Sequence, residues 1–155
     1  MIKSGFAVSV LGIAFLACTA GANAQPVNIT GILTNSCVLS ISGSGVLAPA
    51  SDGHSISSTQ AGGQPGSFTL VAIGASPRVR FTAPTLEAPA GVTGTPVTTI
   101  RYTSLRGAQQ DWTATASMAT AGALLDTFTI HGRVENEAGF VSGRYNVQTV
   151  VTCEQ

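Results

Sequence analysis

Residues 27–37 read VNITGILTNSC, and how far this alternation runs decides the fold. From Val27 to Ile41 the odd positions are Val27, Ile29, Gly31, Leu33, Asn35, Cys37, Leu39 and Ile41, while most even positions are Asn, Thr or Ser. A period of two puts one set of side chains on each face of an extended chain, so this is a half-buried strand, or two strands joined near Asn35. Strands of this kind recur downstream. SFTLVAI (67–73) and RVRFT (78–82) are separated by Gly74 and Pro77, which predicts a hairpin. VTTIRYTS (97–104) is β-branched, and DWTATASM (111–118) places Trp112, Ala114, Ala116 and Met118 on one face. LDTFTIHGRVE (125–135) turns Phe128 and Ile130 inward. The run from Phe140 to Cys153 aligns Tyr145, Val147, Thr149, Val151 and Cys153.

The segments between are rich in turn residues. Residues 42–66 have room only for short strands around Val46 and Ile56. PTLEAPAGVTGTP (84–96) holds three prolines and two glycines and cannot be a central strand. Residues 119–125 predict one helical turn or a loop. The count is roughly seven to nine strands with no long helix, the signature of an all-β sandwich.

The chain opens MIKSGFAVSVLGIAFLACTAGANAQ, with Lys3 its only charge, an apolar run to about Cys18, and Ala22 and Ala24 at the positions a signal peptidase reads. Residues 1–24 are therefore expected to be a secretory signal peptide, and residues 25–155 a single domain. The apolar run falls short of the ~20 residues of a permanent span, so no integral membrane span is expected. A second reading takes Phe15-Leu16-Ala17-Cys18 as a lipoprotein signal acylated at Cys18.

Cleavage removes the only lysine and leaves six arginines against seven acids, which excludes nucleic-acid binding through a basic surface. Two cysteines remain, Cys37 and Cys153. In an exported chain they most simply form one disulfide, worth about 4.7 kcal/mol for a loop of ~100 residues; free thiols and an interchain bond are the other readings.

Catalytic signals are weak. No Gly-x-Ser-x-Gly elbow occurs, and two cysteines with His54 and His131 scattered give no metal spacing. His54 reads as a loop residue and His131 as the solvent face near a strand end. Glu135 and Glu137, two apart, read as solvated carboxylates rather than an acid–base pair. Arg78 and Arg80 either grip an anion or form the outer face over buried Val79 and Phe81, and the second is preferred. Trp112 is expected to anchor the core, a sugar-stacking platform being the weaker alternative. Asn28-Ile29-Thr30 is a glycosylation sequon, of little meaning in a bacterial host. No cofactor, no metal and no enzymatic activity are expected.

Two stretches together resemble a family. In VNITGILTNSC, the positions Val27, Ile29, Gly31, Leu33 and Cys37 are similar to the first strand of chaperone–usher fimbrial (pilin) subunits. In GFVSGRYNVQTVVTC (139–153), Gly143, Tyr145, Val147, Thr149 and Val151 resemble the closing strand of secreted bacterial subunits of the spore-coat-U-like type. The resemblance implies an immunoglobulin-like sandwich, exported to the periplasm or cell surface. It implies a structural or adhesive fimbrial (pilus) or coat subunit that assembles by β-strand complementation. Its partners would be other subunits or itself, a periplasmic chaperone and an outer-membrane usher. Val27, Ile29, Gly31, Leu33, Tyr145, Val147, Thr149 and Val151 would make the subunit contacts.

Two features depart from the family pattern. Only Gln25 and Pro26 would precede Val27 after cleavage, so either no separate donor arm exists or Val27–Leu33 is the arm. The family's second cysteine usually falls in the first half of the chain, whereas Cys153 would lock the last strand near the first. That arrangement favours the alternative function, a self-complete secreted or periplasmic sandwich acting as a non-catalytic binding or accessory module.

Overall fold

The computed structural model describes residues 36–74, 77–122 and 124–154, all within one unit, Ile32–Gln155. The signal peptide, the Asn28 sequon, and Val27, Ile29, Gly31 and Leu33 lie outside the described residues. Among those described there are twelve strands and no helix, and all pairing is antiparallel. The expected seven to nine strands become twelve because loop-rich stretches contribute short ones: β2 (Ala48–Pro49), β3 (Ser55–Ser57), β6 (Thr85–Glu87) and β11 (Asn146–Gln148).

The larger sheet holds seven strands. β1 (Ser36–Gly43) is an edge and pairs with β4 (Gly66–Ile73), which pairs with β10 (Leu124–Glu135). β10 is long enough to take β4 along its first half and β3 along its second, with β2 outside β3. Its other edge carries β7 (Val97–Ser104), followed by β8 (Gln109–Thr113). A second sheet runs β12 (Val151–Glu154), β5 (Arg78–Phe81), β9 (Ser117–Thr120). The ribbon β6–β11 stands apart, and among the described strands β6 pairs with β11, with Pro84 and Pro89 flanking it and limiting its extension.

Two local expectations are corrected. The hairpin of 67–73 with 78–82 does not form: β4 pairs with β1 and β10, β5 with β12 and β9, so the short Gly74–Pro77 link crosses between sheets. The run 111–118 is two strands rather than one, β8 ending at Thr113 and β9 starting at Ser117. Thr113 Oγ1 accepts the Thr115 N–H at 3.1 Å in the turn between them, a local bond that competes with continued extension.

One core joins the two sheets. Phe68, Leu70, Ile100, Tyr102 and Phe128 from the large sheet meet Val79 and Phe81 from β5. Phe81 stacks on Tyr102 with centroids 4.0 Å apart, and Phe68 on Phe128 at 4.9 Å. Each such pair adds about 0.5–1.5 kcal/mol beyond its burial. Arg78 and Arg80 are exposed while Val79 and Phe81 are buried, which is the outer-face reading. Asn136, 2% exposed, ties three loops together: its side-chain amide donates to Thr93 O (2.9 Å) and Gly139 O (2.6 Å), and its N–H donates to His54 O. No described helix is long and apolar enough to cross a membrane.

Candidate strand-accepting groove

Among the described residues each sheet ends on a strand paired on one side, and these two edge strands face each other. Among the described strands β1 pairs with β4, and β12 with β5. They are joined at one end by the Cys37–Cys153 disulfide, Cα atoms 6.3 Å apart. β1 runs away from this bond and the last segment of chain runs toward it, so the two walls are antiparallel.

Beyond the disulfide lies an open cleft of about 710 Å³. Leu39 and Ile41 of β1 form one wall, and residues 145–151 form the other. Phe68, Ile100, Ile130 and Gly132 of the large sheet make its floor. Its lining is predominantly apolar. Ile41 is 87% exposed, an unusual state for an isoleucine on an ordered strand. Gly132 lies in the floor, where an added Cβ would make ordinary contacts with Leu47 at 3.5 Å and Val147 at 3.6 Å.

Tyr145, Val147, Thr149 and Val151, expected on one face, all line this cleft and are half-buried. Exposed residues separate them, so the period of two in the terminal run is real although β11 and β12 are short. Val147 and Val151 also pack against the core. The Tyr145 hydroxyl donates to Val141 O at 2.9 Å, and its ring meets Phe140 edge-on. Gly143 is fixed by crowding and by its φ of 155°: a Cβ would fall 2.6 Å from the Pro89 ring.

The remaining candidates scatter. His54 is an exposed loop residue whose Nδ1 lies 3.3 Å from Asn136 O. Glu135 pairs with Arg133 at 3.5 Å, and Glu137 is exposed on the turn beyond the strand. Two placements correct the sequence reading. Trp112 is not a core anchor; it is half-buried, with Arg101 and Arg133 guanidinium carbons 5.0 and 4.6 Å from its ring centroid. His131 sits within β10 rather than near its end, half-buried, with Nδ1 3.1 Å from Ser58 Oγ.

The Ser58–His131 contact went unforeseen because 73 residues separate the two and no motif links them. It is a hydrogen bond between a buried hydroxyl and a half-buried imidazole. Burial, and then the Arg101 guanidinium, hold the His131 pKa below its ordinary value. No cluster of His, Cys, Asp or Glu among the described residues is arranged to hold a metal. Comparison with protein-family models, with curated proteins and with solved structures finds no match to this chain.

Proposed function

We propose that this chain is a structural or adhesive subunit of a bacterial surface fibre or coat, with an immunoglobulin-like sandwich completed by a strand from another copy. The observation that carries the reading is the apolar cleft between β1 and β12, the edge strands of the two sheets among the described residues. Such edges are normally covered, charged or bulged, and an exposed isoleucine beside one invites pairing. A guest strand would hydrogen-bond to the edges and drop alternate side chains onto Phe68, Ile100 and Ile130.

The proposed guest is Val27–Leu33, whose Val27, Ile29, Gly31 and Leu33 supply that alternation. It would come from another molecule. The Cys37–Cys153 bond holds the two walls 6.3 Å apart, Cα to Cα, at one end, so a guest would lie beyond it. A strand between them needs about 9.6 Å, twice the interstrand spacing. The Tyr145 hydroxyl bond to the carbonyl four residues upstream, at the entry to the last strands, supports the immunoglobulin-like reading, where a tyrosine corner occupies a similar place. A periplasmic chaperone would cover the cleft before assembly and an usher would export the product.

The second reading, a self-complete binding or accessory module, is favoured by one observation: the terminal strand is covalently held to the first. Sizing the oxidised chain from Gln25 separates the two. Assembly predicts heat-resistant ladders that disappear on deletion of Val27–Leu33. A stable monomer with or without that segment would exclude strand exchange.

A further inference from the structure

The opposite face of the large sheet carries a cluster that the groove does not use. Residues alternate along β7 and β10, so while Ile100, Ile130 and Gly132 face the cleft, Thr99, Arg101, His131 and Arg133 face away from it. Arg101 lies directly across from His131, and Thr99 from Arg133. Trp112, from neighbouring β8, reaches both guanidinium groups. Two of the chain's six arginines thus converge on its single tryptophan.

This cluster is rich in donors and short of acceptors. Arg133 has a carboxylate partner in Glu135, but among the described residues Arg101 has no ion pair and no hydrogen bond. Ser58 Oγ accepts the Gly132 N–H at 3.1 Å, leaving its own hydrogen for His131 Nδ1. The ring hydrogen is then assigned to Nε2, a second donor next to Arg101. Among the described residues Arg133 Nε and the Thr99 hydroxyl are buried without a hydrogen-bond partner. A planar anion satisfies such a set best, because the guanidinium fork matches a carboxylate with two parallel hydrogen bonds. The half-buried indole beside it suits an apolar ring face.

We propose that Arg101, His131 and Trp112 form a binding site for a uronate, a sugar bearing a carboxylate. Arg101 takes the carboxylate in its fork, the His131 Nε2–H donates beside it, and the C–H face of the sugar lies against Trp112. The site is independent of strand exchange and would serve adhesion by a fibre or by a lone module equally.

Because Trp112 is the only tryptophan, its emission reports the site. The test is titration of the chain with trigalacturonate and, separately, with its fully methyl-esterified form, which keeps the rings and removes the charge. Binding should be saturable for the acid and at least about tenfold weaker for the ester and for Arg101→Gln. Arg101→Lys, which keeps the charge but not the fork, should also weaken it several-fold and serves if the glutamine variant does not fold. Arg144→Gln, on an exposed loop, should bind as the parent does. No saturable change with the acid, equal affinity for the ester, or undiminished affinity in both Arg101 variants would overturn the site.

Discussion

Cys37 on the edge of the large sheet is bonded to Cys153 on the edge of the small one, across 116 residues of sequence. The bond therefore closes almost the whole described chain into one loop and fixes the narrow end of the cleft. In the chain-entropy account a loop of this length is worth up to about 4.7 kcal/mol, through loss of freedom in the unfolded chain. The double variant Cys37→Ser/Cys153→Ser should lose about 3–5 kcal/mol in urea unfolding at pH 7. A loss under about 1 kcal/mol would mean the two edges are held by packing alone.

Phe81 contributes the small sheet's largest side chain to the shared core, fully buried against Tyr102, Phe68 and Phe128. Phe81→Ala should cost about 3–5 kcal/mol, the usual penalty for an emptied aromatic site. Phe81→Leu should cost clearly less, because it keeps most of the volume. Equal losses would show that the sheets are not joined through this ring.

Asn136 makes a narrower prediction. Replacing it by alanine removes two amide donors and leaves the Thr93 and Gly139 carbonyls to find other partners, at about 2 kcal/mol. Asn146→Ala, which loses only an exposed bond to Glu87, should stay within about 0.5 kcal/mol of the parent. Thermal melts of the two variants side by side check the difference.

His131 predicts a pH dependence of defined sign. Its folded pKa lies below the ordinary 6.5, through burial first and Arg101 second, while Ser58 faces its Nδ1. Between the folded and unfolded values the unfolded chain binds more protons, so stability is fully present above about pH 6.5 and falls as pH drops through the folded pKa. His131→Gln should flatten the difference in unfolding free energy between pH 8 and pH 5. A parent and variant with parallel pH profiles would contradict the assignment.

How much of this was legible in the sequence follows from the range of each interaction. The inward set of the last strands, Tyr145, Val147, Thr149 and Val151, needs only the pleat of one strand, and the period of two displays it directly. The exposure of Arg78 and Arg80 over Val79 and Phe81 is read the same way. The pairing of Cys37 with Cys153 follows from parity and the expectation of export. The change of sheet at Gly74–Pro77 was not legible, because a short turn-rich link looks alike whether the next strand returns beside the first or crosses to the other layer. The surroundings of Trp112 were hidden for a related reason: its cations come from β7 and β10, and a lone tryptophan in an alternating run otherwise looks like core. The cleft itself was invisible, since an edge strand is a property of the assembled sheets.

The central claim, that the cleft accepts a strand, is tested most directly by amide hydrogen exchange. The chain lacking residues 27–33 would be measured with and without a synthetic VNITGIL peptide. The account predicts slowed exchange confined to the two facing walls, residues 39–43 and 145–151, and abolished by an Ile29→Asp change in the peptide. Unchanged exchange on both walls at saturating peptide would contradict it.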